Sequence, residues 1–283
     1  MHTASSTLPP RASAADGLPC ADAYARLAQV LPDLRVELTG PRSGDGWILT
    51  ADIAGDPGVL AQLVAEEERR GLADYGEPLR PDVAAGFSLH RYAWSACLLF
   101  TVPWFLERRV PRLPVAAVSA NRAEGRMTAR VESFTCLPED PAAALPGARV
   151  AADEAALRAE LLAALTEHLE PLLTAFRPRL RRGPRTLWGM ATDEVVEGLW
   201  YLASLLGEEE RAAAELGLLL PGSTAPFAGA AAFRVLDQGP DRAPMRTRTR
   251  VSCCLYYTVR PAEVCFNCPR SCPSAAAADR TDK

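Results

Sequence analysis

The stretch SCCLYYTVRPAEVCFNCP, residues 252–269, decides how the rest of the chain is read. It holds four of the eight cysteines: Cys253, Cys254, Cys265 and Cys268. Thiols gathered like this in a chain with no secretory signal point to a metal site rather than a disulfide framework. The Cys265-Phe266-Asn267-Cys268-Pro269 unit places two sulfurs on one tight turn. The adjacent Cys253-Cys254 pair is less usual, because a strand sends neighbouring side chains to opposite faces. Both can meet one centre only where the backbone bends sharply. All-cysteine zinc sites are built from two Cys-x(2–4)-Cys knuckles, and only the second half here looks like one. A two-iron cluster spreads its four thiolate positions over a wider object and tolerates the adjacent pair better. A structural zinc site remains the alternative. A Rieske-type centre needs two histidines; the chain has only His2, His90 and His168, none near the motif in sequence.

Working outward, the 283 residues suffice for one large domain or two small ones, and the 48% apolar fraction suffices for a core. A net charge of −4 argues against nucleic acid as a partner. Residues 1–19 are rich in Ser, Thr, Ala and Pro and lack the basic and apolar regions of a signal peptide, so they read as a disordered lead-in. The longest apolar run, 93–105, is broken by Ser95, Thr101 and Pro103 and falls short of the ~20 residues of a membrane span. A buried core helix and a cytoplasmic chain are expected. No Gly-rich nucleotide loop is present, which leaves no case for NAD or flavin.

The pattern predicts helices over 22–30, 57–71, 81–109, 153–180, 184–206 and 208–220. Asp56 is placed to cap the second, Pro103 to kink the third and Pro171 to break the fourth. In the fourth, Leu157, Leu161, Leu165, Leu169, Leu172 and Phe176 recur at steps of three or four and form one apolar face. Strands are expected at 35–38, 113–119, 127–134, 230–236 and 246–253, with a turn at 121–125 closing a hairpin. The fold class is α+β. The expected organisation is a lead-in (1–19), a helix-rich body (20–240), a cysteine segment docked on it (241–272) and a disordered tail (273–283).

Ser252-Cys253-Cys254-Leu255-Tyr256-Tyr257 followed by Cys265-x-x-Cys268-Pro269 resembles the C-terminal signature of FhuF-type ferric siderophore reductases, which hold a [2Fe–2S] cluster on Cys-Cys-x10-Cys-x2-Cys. An Arg-rich segment before the cysteines and the Leu187-Trp188 opening of a helix extend the likeness more weakly, over about residues 20–270. The chain departs from that pattern at Phe266-Asn267, Val251 and Met190. The resemblance implies that Cys253, Cys254, Cys265 and Cys268 ligate the cluster. It also implies a ferric siderophore as substrate, release of Fe(II), and a separate cellular electron donor. The second reading is a non-enzymatic Fe–S or zinc protein, in which the site is a structural staple or a redox sensor.

Arg246, Arg248 and Arg250 alternate just upstream of the cysteines and share one strand face. They either tune cluster charge and substrate docking or decorate a solvated face. Trp188, Trp200 and Tyr201 read as core packing, with a groove lining as the alternative. His90 and His168 read as structural or surface groups, and Cys97 as a buried small hydrophobe.

Overall fold

The computed structural model describes residues 17–236, 245–263 and 267–270. Residues 1–16, 237–244, 264–266 (Cys265 among them) and 271–283 lie outside the described residues.

The helices are α1 (Ala21–Val30), α2 (Thr50–Gly55), α3 (Pro57–Tyr75), α4 (Pro81–Glu107), α5 (Glu154–Leu180), α6 (Pro184–Leu206) and α7 (Glu209–Leu219). The strands are β1 (Arg35–Glu37), β2 (Trp47–Leu49), β3 (Arg109–Pro111), β4 (Val118–Asn121), β5 (Arg126–Ala129), β6 (Phe134–Cys136), β7 (Ala148–Val150), β8 (Ala232–Leu236) and β9 (Met245–Thr249). The α+β expectation holds.

The apolar run becomes the centre of the molecule. Every residue of α4 from 96 to 105 is buried, and the helix packs against α1, α3, α5 and α6. A helix buried on all sides has no polar face to give it a 3.6-residue pattern. Pro103 lies inside this helix without ending it. It has no N–H for the Leu99 carbonyl one turn back. The Tyr24 hydroxyl of α1 donates to that carbonyl instead, at 2.7 Å. Pro171 likewise leaves α5 continuous, a correction to the expected break. At the start of α3, Asp56 accepts from the Gly58 and Val59 amides at 2.7 and 3.4 Å, as a cap should.

A four-stranded sheet runs β1-β5-β4-β2, with β1 parallel to β5 and the other pairs antiparallel. The β4–β5 hairpin is the expected one, but shorter. Residues 115–117 form a 3-10 turn, and Phe134 begins a separate strand in the small β3-β6-β7 sheet. The hairpin turn needs Gly125. Its φ is +62°, and a Cβ there would lie 2.0 Å from the Asp33 carbonyl oxygen. β8 and β9 pair antiparallel as a third sheet that leads into the cysteine segment. Strand β9 ends at Thr249, so the expected strand through Cys253 stops short of the cysteines.

His168 of α5 is fully buried. Its Nδ1 meets the Leu113 carbonyl at 2.7 Å and its Nε2 meets the Tyr92 hydroxyl at 2.9 Å. Tyr92 is also 2.8 Å from the Thr50 hydroxyl. Donation from Nδ1 to Leu113 and acceptance at Nε2 satisfy all three groups with a neutral ring. Burial pulls the imidazole pKa down to about 4.

Candidate functional site

Helix α6 is the platform on which the cysteine segment rests. Gly189, Asp193 and Glu197 recur every four residues and share one face. Asp193 is 1% exposed. Its carboxylate accepts from the Val251 amide (2.8 Å), the Ser252 amide (2.8 Å) and the Ser252 hydroxyl (2.7 Å). The Arg248 guanidinium donates to it at 3.3 Å, and Arg250 lies 3.8 Å away. Four residues on, Glu197 accepts from Arg248. Four residues earlier, Gly189 leaves room for Val251: a Cβ would sit 3.0 Å from its Cγ1. Gly229, at φ +85°, closes the other side, where a Cβ would fall 2.5 Å from Val251 Cγ2. Thr192 ties the Gly229 loop to the same helix by donating to the Ala228 carbonyl at 2.9 Å.

Beyond this anchor the chain bends. Leu255 is left-handed at φ +68°, an unfavourable state for a residue with a Cβ. The turn aims the Leu255 amide at the Cys253 sulfur, 3.4 Å away. This left-handed turn follows directly on the adjacent cysteines. Cys253 hydrogen-bonds with Cys268, which is buried. Burial pushes the Cys253 thiol above its ordinary range, and the neighbouring Cys268 adds to this. Tyr256 packs edge-on to Tyr75 of α3, with ring centroids 6.1 Å apart.

Three of the four sequence-marked cysteines therefore belong to one segment, two of them in contact; Cys265 lies outside the described residues. Among the described residues no trio of His, Cys, Asp or Glu converges on a single-ion position. An all-thiol donor set with an amide directed at sulfur fits an iron–sulfur centre.

The three arginines separate. Arg246 is half-buried and reaches Glu210 of α7 at 2.8 Å. Arg248 is 1% exposed and locked between Asp193 and Glu197, so the solvated-face alternative does not describe it. Burial lowers its pKa, opposed by Asp193. Arg250 alone reaches the adjoining cavity, a space of about 700 Å³ whose wall also contains Cys254. The cavity lies among α3, α4, the β4–β5 turn, α6 and the cysteine segment. His90 forms part of the same wall and pairs with Glu194 of α6, although about 160 residues separate it from the motif. Trp188, Trp200 and Tyr201 do not border it: Trp188 stands edge-on to Phe227 and Trp200 tilts against Phe233.

Sequence reasoning missed Asp193, Glu194 and Glu197. For Asp193 and Glu194, which are buried, the available signal was acidic side chains inside an otherwise apolar helix, since carboxylates are rarely buried unless paired.

The site belongs to an iron–sulfur protein. Residues 250–270 match the family model of the FhuF 2Fe-2S C-terminal domain, and the cofactor of this segment is a [2Fe–2S] cluster. No curated protein matches the chain. Among the described residues no helix is long and apolar enough to cross a membrane.

Proposed function

We propose that the chain is a cytoplasmic one-electron reductase of ferric siderophores, with Cys253, Cys254, Cys265 and Cys268 holding the cluster. One observation carries the reading. Cys254 stands within the segment matched to the 2Fe-2S domain and also in the wall of a ligand-sized cavity. When bound, a [2Fe–2S] cluster supplies one electron at a time and needs no open coordination position. Asp193 fixes the segment that presents the thiols. The Leu255 amide donates to the Cys253 sulfur, and such donors favour added negative charge. Of the three arginines, Arg250 borders the same cavity as Cys254 and is the one placed to offset charge there, while Arg248 helps hold the segment through Asp193 and Glu197 and Arg246 is paired with Glu210. Hard oxygen chelators hold Fe(III) far more tightly than Fe(II), so one electron loosens the metal without breaking the chelator. The electron comes from a separate cellular donor.

Protein purified without oxygen is expected to contain about two irons and two labile sulfides per chain. After reduction, a ferric siderophore should restore the oxidised spectrum while a ferrous chelator traps Fe(II). Stoichiometric zinc without sulfide would instead indicate a structural staple. A reduced spectrum unmoved by a broad panel of ferric chelates would indicate a redox sensor and sink the reductase reading.

A further inference from the structure

We propose that the arginines of the α5–α6 turn, together with Arg270, form a docking face for an acidic one-electron carrier protein, on the side of the cysteine segment that does not border the cavity. The inference rests on the reading of the chain as a reductase fed by a separate donor, and it specifies the chemistry of that donor.

The sequence concentrates charge at this turn. Between Glu170 and Asp193 the chain carries five arginines and no carboxylate. Arg181, Arg182 and Arg185 lie where α5 passes into α6; Arg181 and Arg185 are exposed and Arg182 is half-buried. Among the described residues neither Arg182 nor Arg185 makes an ion pair. Arg181 is left-handed at φ +49°, so an arginine stands where glycine would be the easier residue.

The fold brings this turn to the cysteine segment. Arg185 precedes Gly189 by one turn, on the face of α6 that seats Val251. The end of α5 packs on the start of α4, where a Cβ on Gly86 would lie 3.5 Å from Leu180 Cδ2. There Arg80 donates twice to Asp82, at 3.0 and 2.6 Å. Asp82 is within electrostatic reach of Arg181, and Arg80 is within reach of Tyr257. Arg270, exposed and two residues past the buried Cys268, lies over the Tyr257 ring at 4.2 Å. Neither these arginines nor Tyr257 borders the cavity that Cys254 lines.

The carboxylates nearby do not cancel the charge. Asp82 is held by Arg80. Glu263 is offset by Arg260, since both act on Tyr256. Glu77, exposed on the turn before α4, is then set against Arg181, Arg182, Arg185 and Arg270. The chain as a whole is acidic, at −4, so a local basic face orients an acidic partner that the rest of the surface repels. Anionic lipid would also be drawn to arginines. Among the described residues, however, no large apolar side chain is exposed at 177–187 or 255–263, so a lipid surface would find charge without an insertion anchor. A reduced carrier docked here loses one electron and the iron–sulfur centre gains it; no bond breaks and no proton is required. Such redox encounters bury little surface and depend on charge.

The experiment uses the cluster-loaded chain with two acidic carriers, a plant-type [2Fe–2S] ferredoxin and a flavodoxin. Calorimetry with both partners oxidised reads binding without electron flow, and stopped flow with pre-reduced carrier reads the second-order rate of reduction. At least one carrier should bind and weaken as salt rises. Arg182→Gln combined with Arg185→Gln should weaken binding and slow reduction by about tenfold at low salt, with the gap closing at high salt. Reduction by photoreduced deazaflavin, small and uncharged, should not change. Arg181→Gly removes a charge while relieving the left-handed backbone, so it should weaken binding without lowering the thermal midpoint. Glu77→Gln should tighten binding. Failure of both carriers to bind, or binding indifferent to the arginine substitutions, would overturn the face. So would arginine-dependent sedimentation with phosphatidylglycerol vesicles in the absence of carrier binding. A carrier that docks and reduces the centre while no ferric siderophore reoxidises it would support the face and sink the reductase reading alone. Siderophore reduction driven by deazaflavin, with carrier binding blind to the arginines, would overturn the face and leave the reductase reading standing.

Discussion

At the residue scale, Asp193 does more for the cysteine segment than any group within the segment itself. It satisfies the Val251 and Ser252 amides and the Ser252 hydroxyl, and it meets a buried guanidinium. Asp193→Asn keeps the shape but replaces one acceptor oxygen with an amide that donates. One segment N–H is then opposed by another donor, and Arg248 loses a counter-charge. Breaking a buried pair in this way costs about 3 kcal/mol or more. The variant should unfold at lower denaturant and retain well under half of the wild-type iron and sulfide, read by chemical analysis after gel filtration. Asp193→Glu, which keeps the charge, should lose less. His168 supplies a second residue-scale prediction. Its folded pKa is held near 4, below the ordinary histidine value. Between those values the unfolded chain binds a proton that the native chain does not. Stability is therefore complete above the unfolded value, falls as pH drops from about 6.5 to about 4, and flattens below that. The whole contribution is of order 3 kcal/mol. His168→Gln should remove most of that slope from urea midpoints measured across the window.

At the element scale, α6 is read correctly from sequence over its full length, yet its purpose is not. Its apolar periodicity and Pro184 mark the helix. Nothing local says that Asp193 meets amides 58 and 59 residues later, because a carboxylate's partner is set by tertiary packing. The same limit explains β2, β3, β6 and β7. Each is three residues long, too short to show alternation. It also explains the fate of the arginines. Their alternation is visible, but whether a guanidinium meets water or a buried carboxylate depends on the helix behind the strand. The Gly229 loop offers the test at this scale. Gly229→Ala places a methyl against Val251 and forces a left-handed alanine, which itself costs about 1–2 kcal/mol. Thermal midpoint and iron content should both fall. Gly222→Ala, where a Cβ meets nothing within 4 Å, should leave both unchanged.

At the scale of the whole molecule, the helix-rich body and the identity of the thiol-bearing stretch were legible in sequence. The body shows itself through periodicity, and the cysteines through their spacing. The cavity was not legible, since its wall draws on residues from Leu31 to Tyr256 and no single segment contains it. His90 shows how far linear distance misleads: it is remote from the cysteines in sequence, yet it borders the same space as Cys254.

The seat of Val251 has a consequence for how such a chain can vary. The slot is formed by an absent side chain on α6, an absent side chain in the Gly229 loop, and the girth of the valine between them. Of these positions only 251 falls within the matched stretch; 189 and 229 lie outside it. The stretch is therefore not portable. Transplanted onto another helix it would carry its sulfurs but leave behind the carboxylate and the two gaps that hold it. Positions 189, 229 and 251 form a lock whose parts must be inherited together, with bulk gained at one of them matched by bulk lost at another.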